Sequence, residues 1–170
     1  RSLVGSEMCI RDRVTSQDTD INPLLLERQV CFALAVANRS VLRIYRRLLE
    51  PLGLTHPQYL VMLALWESEP MAVKDIGAAL QLDSATLSPL LKRLETAELI
   101  VRCRRGDDER NVDVALTEAG RALREKALTI PGSVVDALGV EVTDLEELHR
   151  ALTRVNSAAV AAVGGHSAKG

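Results

Sequence analysis

The 170-residue sequence contains very few aromatic residues, since Phe, Trp and Tyr together make up only 2% of it. Hydrophobic residues nevertheless account for 47%, so any core must be built from aliphatic side chains, as in helical proteins rich in Leu, Ala and Val. There is no apolar run of the ~20 residues that a membrane-spanning helix needs, and no signal-peptide core. We therefore expect a cytoplasmic protein with no membrane partner.

Cysteine is also scarce, and its three residues are Cys9, Cys31 and Cys103. Their odd number argues against a disulfide framework, and neither they nor the three histidines have the spacing of metal ligands. We expect no metal site and no cofactor.

The formal net charge of −2 argues against nucleic-acid binding driven by overall charge. A local basic patch can still support sequence-specific binding. Such a patch is supplied by Arg102, Arg104, Arg105 and Arg110.

Residues 73–95 predict two short helices separated by a break, the arrangement of a helix-turn-helix. Val73–Leu80 is amphipathic, and Asp83 can cap the second helix because its carboxylate accepts from the amides of the first turn. Pro89 either bends this second helix or marks an irregular start. The leucines lie on one face, and the following polar side chains suit a DNA major groove: Ser84, Thr86, Ser88, Lys92 and Arg93.

A basic hairpin is predicted directly after the second helix. Residues 99–105 form a β-rich strand, residues 106–110 have turn composition, and residues 111–116 alternate as the return strand. Beside a recognition helix such a hairpin is a wing, which holds phosphates or enters the minor groove. Its candidate DNA-binding residues are Arg104, Arg105, Asp108 and Arg110. Cys103 is expected to point inward, and the alternative is a solvated hairpin on an ordinary α+β domain.

The predicted DNA-binding lobe spans about residues 55–120. The helices outside this lobe are expected to build a homodimer. One runs from about Asn22 to Glu50, and another begins at Thr143, which has capping-box spacing to Glu146. The latter carries an apolar seam with steps of three and four: Leu145, Leu148, Leu152, Val155 and Ala159. The alternative is a helix packed on its own domain. A helix-turn-helix dimer favours double-stranded DNA with an inverted repeat.

The fold class predicted from these segments is mainly α with a small β-hairpin wing, a winged helix-turn-helix dimer built from N- and C-terminal helices. We expect the domain to span residues 21–163. Residues 1–20 are interpreted as a disordered or artefactual leader, and residues 164–170 as a disordered tail.

The sequence resembles the MarR-type winged helix-turn-helix regulators. Asp108-Glu109-Arg110 followed by residues 114–120, VALTEAG, matches the wing signature of that family. Three further stretches, at residues 30–34, 48–60 and 82–93, are similar to its organic hydroperoxide resistance branch. The resemblance extends from Leu24 to about Leu152.

This resemblance implies a transcriptional repressor, not an enzyme, that leaves its operator when an organic hydroperoxide oxidises a cysteine near the N-terminus. Cys31 falls at that position, and Tyr45 is the expected hydrogen-bond donor to its thiolate. Within one helix the two lie on the same face but ~20 Å apart. An antiparallel crossing of two copies near Asn38 brings Tyr45 of one to Cys31 of the other, as the family is described to do.

Two positions depart from the branch pattern. His56 stands where a supporting tyrosine is usual, and Ala35 replaces another aromatic residue. His56 either donates a hydrogen bond or, if protonated, favours the thiolate more strongly; equally, the change alters peroxide preference or dulls the sensor. Residues 134–137 lack the second cysteine of disulfide-forming members. We therefore expect Cys31 to become a sulfenic acid, then a mixed disulfide with a low-molecular-weight thiol or an overoxidised product.

Other interpretations remain open from the sequence. A regulator of the same fold can be released by a small phenolic or drug-like ligand instead of peroxide. A thiol peroxidase is a third class, although no resolving cysteine is apparent. Cys31 itself has a plainer interpretation as a small hydrophobic residue buried at a helix interface.

Overall fold

The computed structural model describes residues 24–104 and 112–164. The chain divides into two compact units, residues 1–37 and residues 38–170. In the first unit, residues 26–28 form a 3₁₀ turn whose flanking residues Leu25 and Gln29 are extended, with ψ of 125° and 117°. The second unit contains the entire buried core.

Within the described residues the chain forms seven α-helices and three short strands. In chain order they are α1 (Val30–Leu49), α2 (His56–Glu67), β1 (Met71–Ala72), α3 (Val73–Leu80), α4 (Ser84–Thr96), β2 (Ile100–Arg104), β3 (Val112–Leu116), α5 (Glu118–Ala127), α6 (Ile130–Leu138) and α7 (Val142–Gly164). The predicted fold class, mainly α with a small β-hairpin, is confirmed. None of the helices in these two ranges is long and apolar enough to cross a membrane.

Three helices begin at a capping residue, and of these caps Asp83 was predicted. The Asp83 carboxylate accepts from the backbone N–H of Thr86 at 2.7 Å and so begins α4. The Thr117 hydroxyl accepts from the backbone N–H of Gly120 at 3.0 Å and begins α5. At the start of α2 the side-chain oxygen of Gln58 accepts from the backbone N–H of Thr55 at 2.9 Å, as a capping box requires.

Two predicted helix starts are wrong. Helix α1 begins at Val30 and not near Asn22, because the extended backbone at Leu25 and Gln29 interrupts any continuous helix. Helix α7 begins at Val142, so Thr143 lies in its first turn and is not its cap. The amides of Asp144 and Leu145 instead donate to the carbonyl of Glu141, at 3.1 Å and 3.4 Å.

The three strands form one antiparallel sheet in the order β1–β3–β2. Met71 of β1 faces Val114 of β3, and Ile100 of β2 faces Leu116 of β3. Ile100 is buried, so the alternation of a strand turns Cys103 to the other face, where it is exposed. The expectation that Cys103 points inward is therefore wrong.

The core is largely aliphatic, as the composition predicts, and Tyr59 is the one aromatic residue among its buried members. It is contributed mainly by α2 and α4, with residues of β2 and β3, two residues of α6, and one residue each of α1, α3, α5 and the loop before α2. Its buried hydrophobic residues are Leu49, Leu54, Tyr59, Val61, Met62, Leu65, Ile76, Leu87, Leu90, Leu91, Leu94, Ile100, Val114, Leu116, Ala127, Ile130 and Val134. This core fixes α4 and the base of the hairpin.

Candidate functional site

Helix α4 is held from one side and exposed on the other, as expected of a recognition helix. Leu87, Leu91 and Leu94 are at most 1% exposed. The helix continues through Pro89 from its cap, which excludes the irregular start. All five predicted DNA-contacting side chains are exposed: Ser84, Thr86, Ser88, Lys92 and Arg93.

The wing strands are described, whereas the predicted contacts at the wing tip lie outside the described residues. Those contacts are Arg105, Asp108 and Arg110, and of Arg104 only the backbone is described, at the end of β2. Arg102 of β2 forms an ion pair with Glu95 of α4, with 3.3 Å between Nε and Oε2. The first wing strand is thus attached directly to the recognition helix.

Cys31 and Tyr45 both belong to α1, but they fall in different units of the chain. Cys31 lies in the first turn of α1 and is exposed. Burial of Cys31 at a helix interface, its plainer interpretation, would therefore require a second copy of the chain.

Tyr45 belongs to an aromatic cluster formed by α1 and α2. Its ring centroid is 4.8 Å from that of His56, in an edge-on arrangement, and 6.1 Å from that of Tyr59. Tyr59 in turn lies 6.2 Å from Trp66. The spacings are typical of favourable aromatic contacts. Tyr45, the predicted donor to the thiolate, and His56, at the place of the usual supporting tyrosine, are therefore adjacent.

Burial shifts the pKa values of Tyr45 and His56 so that the neutral form of each side chain is favoured. Desolvation raises the pKa of Tyr45 above its usual value of 10.0, so its hydroxyl keeps its proton and can donate. Desolvation lowers the pKa of His56 below 6.5, so the imidazole is uncharged at neutral pH.

The base of the wing is held by residues that the sequence analysis did not single out. Glu69, in the loop after α2, accepts from the backbone N–H of Leu116 at 2.9 Å and from Arg121 Nε at 2.7 Å. The indole N–H of Trp66 donates to the carbonyl oxygen of Gly120 at 2.9 Å. No local pattern marks Glu69 or Trp66, because their partners lie about fifty positions away in the sequence.

Helix α7 and the start of α1 expose apolar side chains. Among the described residues of α7 none is buried, and Leu148, Leu152 and Val155 are 51%, 38% and 51% exposed. In α1, Val30 and Leu34 are 66% and 39% exposed. The alternative that α7 buries its seam against its own domain is not what the described chain shows.

An open, largely apolar groove of about 510 Å³ borders the aromatic cluster between α2 and the segment that joins α5 to α6. Leu63 and Leu128 along it are 40% and 58% exposed, and Arg124 adds a single cation. The volume is within the range of small-molecule sites.

Comparisons with known proteins point to one family. The sequence model described as "Transcriptional regulator SarA/Rot" matches residues 43–127. The organic hydroperoxide resistance transcriptional regulator of Bacillus subtilis strain 168 is 46% identical over 127 residues, 75% of this chain and 86% of that protein.

Two solved structures have the same fold as this chain, both of AbfR, a Staphylococcus epidermidis protein. Reduced AbfR bound to DNA superposes with a TM-score of 0.71 at 31% identity, over 81% of this chain and 94% of that one. Overoxidized AbfR bound to DNA superposes with a TM-score of 0.62 at 34% identity, over 76% of this chain and 94% of that one.

Proposed function

Because the chain belongs to the winged-helix transcriptional regulators of the MarR/SarA type, we propose that it is a homodimeric repressor that organic hydroperoxides release from DNA through Cys31. Family membership confirms the resemblance on which the sequence analysis drew. The relatives are regulators of transcription and not enzymes, so the thiol peroxidase interpretation is set aside.

The proposed DNA contacts follow from the two faces of α4. The leucine face fixes the helix in the core, and the exposed face presents Ser84, Thr86 and Ser88 to base edges in the major groove. Lys92 and Arg93, near the other end of the helix, are placed to neutralise phosphates. In the proposal the wing residues Arg104, Arg105, Asp108 and Arg110 contribute the adjacent contacts.

A second copy of the chain is the proposed partner for the exposed apolar seam of α7. Burial of a Leu or Val side chain stabilises by ~1.5–3 kcal/mol, so several of them left in water favour association. Two copies related by a two-fold axis would place their α4 helices one DNA turn apart, ~34–36 Å, on an inverted repeat.

The proposed sensing reaction begins with the Cys31 thiolate. The sulfur attacks the terminal oxygen of ROOH, the O–O bond breaks, and the products are the sulfenic acid Cys–SOH and the alkoxide RO⁻, which takes a proton from water. A low-molecular-weight thiol R′SH then displaces hydroxide as water and leaves the mixed disulfide Cys31–S–S–R′. Without such a thiol, further peroxide overoxidises the sulfur.

Tyr45 is the proposed hydrogen-bond donor to the Cys31 thiolate of the partner copy. Its raised pKa keeps the phenol protonated, as a donor must be, and the contact with His56 orients the ring. A hydrogen bond to a charged group contributes ~1.5–3 kcal/mol, which stabilises thiolate over thiol. Oxidation removes that charge and so weakens the contact between the two copies.

The observation that carries the hydroperoxide proposal is the exposed Cys31 at the start of α1, in a chain 46% identical to a hydroperoxide resistance regulator. The test is a gel shift on the DNA upstream of the gene, with and without cumene hydroperoxide. We expect the wild type to leave the DNA and Cys31→Ser to stay bound.

Cys103→Ser is the matched control, because Cys103 is exposed as well. We expect it to respond like the wild type, with mass spectrometry locating the added oxygen on Cys31. Release of the Cys31→Ser protein by peroxide would refute the proposal.

The groove beside Trp66 supports a second candidate, release by a small phenolic or drug-like ligand. Such a ligand would release Cys31→Ser and wild-type protein equally, which separates this function from the first.

A further inference from the structure

We propose that Glu69 is a positioning residue for DNA binding, because it fixes the base of the wing against the lobe. The inference rests on the proposed DNA-binding function and is independent of the chemistry at Cys31. No local sequence pattern singles out this carboxylate.

The strand register shows that the Glu69 side chain stands in for a backbone partner of β3. Strand β1 has two residues, and Met71 faces Val114 of β3 while Ala72 faces Asp113. The same antiparallel register, extended by two residues, places position 69 opposite Leu116. The Leu116 N–H on this edge is accepted by the Glu69 carboxylate at 2.9 Å, so a side chain takes over where the two-residue strand ends.

The second partner of the carboxylate locks this arrangement. Arg121 of α5 donates to Glu69 through both Nε and Nη2, at 2.7 Å and 3.1 Å, the two-pronged geometry in which an arginine is most directional. Arg121 holds the pKa of Glu69 below its usual 4.5, so the carboxylate is charged throughout the neutral range. One side chain thus joins the end of α2, the end of β3 and the first turn of α5.

This junction determines where the wing lies relative to the recognition helix. Strand β2 is tied to α4 through Arg102 and Glu95 at 3.3 Å, whereas Glu69 holds β3 on the edge that faces β1. Without the charged carboxylate, the two-pronged bond to Arg121 is lost and the Leu116 N–H has a weaker acceptor or none. On this edge β3 then keeps only its pairing with the two-residue strand β1. The wing would then sample more orientations, and its DNA contacts would cost more conformational entropy to form.

The test is Glu69→Gln in the full-length chain, with Glu67→Gln as the control. Glu67 is exposed, lies two residues away and carries the same charge. Urea unfolding confirms that each variant is folded, and operator affinity is then measured over a series of salt concentrations.

We expect Glu69→Gln to bind operator roughly tenfold more weakly, with a shallower dependence of log K on log salt, because fewer phosphate contacts form. Glu67→Gln should match the wild type in affinity and slope. Arg121→Lys keeps the positive charge but loses the two-pronged geometry, so it should weaken operator binding in the same way. This variant tests the inference if Glu69→Gln does not fold.

Wild-type affinity and slope in the folded Glu69→Gln protein would overturn the inference while leaving the proposed function intact. The same holds for a weaker affinity with an unchanged salt slope, which would indicate a general loss of stability. A wild-type protein that binds no operator would instead refute the proposed function.

Discussion

Helices α4 and α7 carry similar leucine patterns, and the structure treats them in opposite ways. In α4 the apolar face is buried, with Leu87, Leu91 and Leu94 at most 1% exposed. In α7 the apolar face is open, with Leu148 and Leu152 at 51% and 38% exposed. An amphipathic pattern predicts that a helix packs against something, but it does not say whether the partner belongs to the same chain.

The difference separates two kinds of stability in this molecule. The surroundings of α4 are stabilised by burial within one chain, so they should depend little on protein concentration. The seam of α7 can be buried only by something outside the described chain, and in our proposal this is a second copy. Its contribution should therefore vary with concentration, as for any association equilibrium.

The largest expected effect comes from placing a charge in the α7 seam. Leu152→Glu should convert the dimer to a monomer, because an unpaired carboxylate would be buried at the interface. Loss of two-site binding should then weaken operator affinity by at least ~100-fold. Analytical ultracentrifugation and a gel shift measure the two effects.

Ser157→Glu provides the matched control for that substitution. Ser157 is exposed and lies on the face of α7 roughly opposite the seam. It should remain dimeric and bind DNA normally. A monomeric Ser157→Glu protein, or a dimeric Leu152→Glu protein, would contradict the assignment of the seam.

The next largest effect tests the packing of α5 against the start of β2. A Cβ added at Gly120 would overlap the backbone carbonyl oxygen of Leu99, which cannot move without displacing the start of β2. Gly120→Ala should therefore lower the free energy of unfolding by about 3 kcal/mol or more. Urea denaturation measures this loss.

Gly132 supplies a control within a helix, since a Cβ there would meet no atom within 4 Å. Gly132→Ala should be neutral or stabilise by up to about 1 kcal/mol. If both alanines were equally tolerated, the close packing of α5 on the residue before β2, Leu99, would be in doubt.

The smallest effect concerns His56, where α1 meets the lobe. Its folded-state pKa is lowered by burial, so below about pH 6.5 the unfolded chain binds the proton more readily than the folded one. Stability is complete above that pH and falls as the pH drops through the folded-state pKa. Urea midpoints measured between about pH 7.5 and pH 5.5 should show this decline.

In His56→Phe, the part of the stability loss at low pH that comes from His56 should disappear. His149 is exposed, so His149→Gln should retain that loss. A pH dependence identical in all three proteins would show that His56 titrates as it does in the unfolded chain.

Local chemistry made much of the lobe predictable from the sequence. Asp83 was recognised as a cap because a short side-chain acceptor bonds an amide three residues later. The same rule failed at Thr143, because a sequence offers candidate caps without saying which the chain will use. Helix α6 was missed, although Pro131 in its first turn and Gly139 after its end are typical of helix boundaries.

The site was predictable only in part, for a different physical reason. The α4 face follows from one helical period, so its exposed residues were predicted correctly. The contacts of Glu69 and Trp66 join positions about fifty apart, which no local pattern records. The prediction that Cys103 points inward was wrong. Side chains alternate between the two faces of a strand, and a short sequence does not show which of the two sets faces the core.

The chain has a single tryptophan, Trp66. This residue connects the aromatic cluster to α5, the helix that follows the wing. Trp66 touches Tyr59 on one side and bonds the carbonyl of Gly120 on the other. Its emission is therefore an intrinsic optical reporter of that junction. If oxidation of Cys31 alters the DNA-binding lobe as we propose, the fluorescence of the peroxide-treated protein, followed over time, would show how quickly it does so.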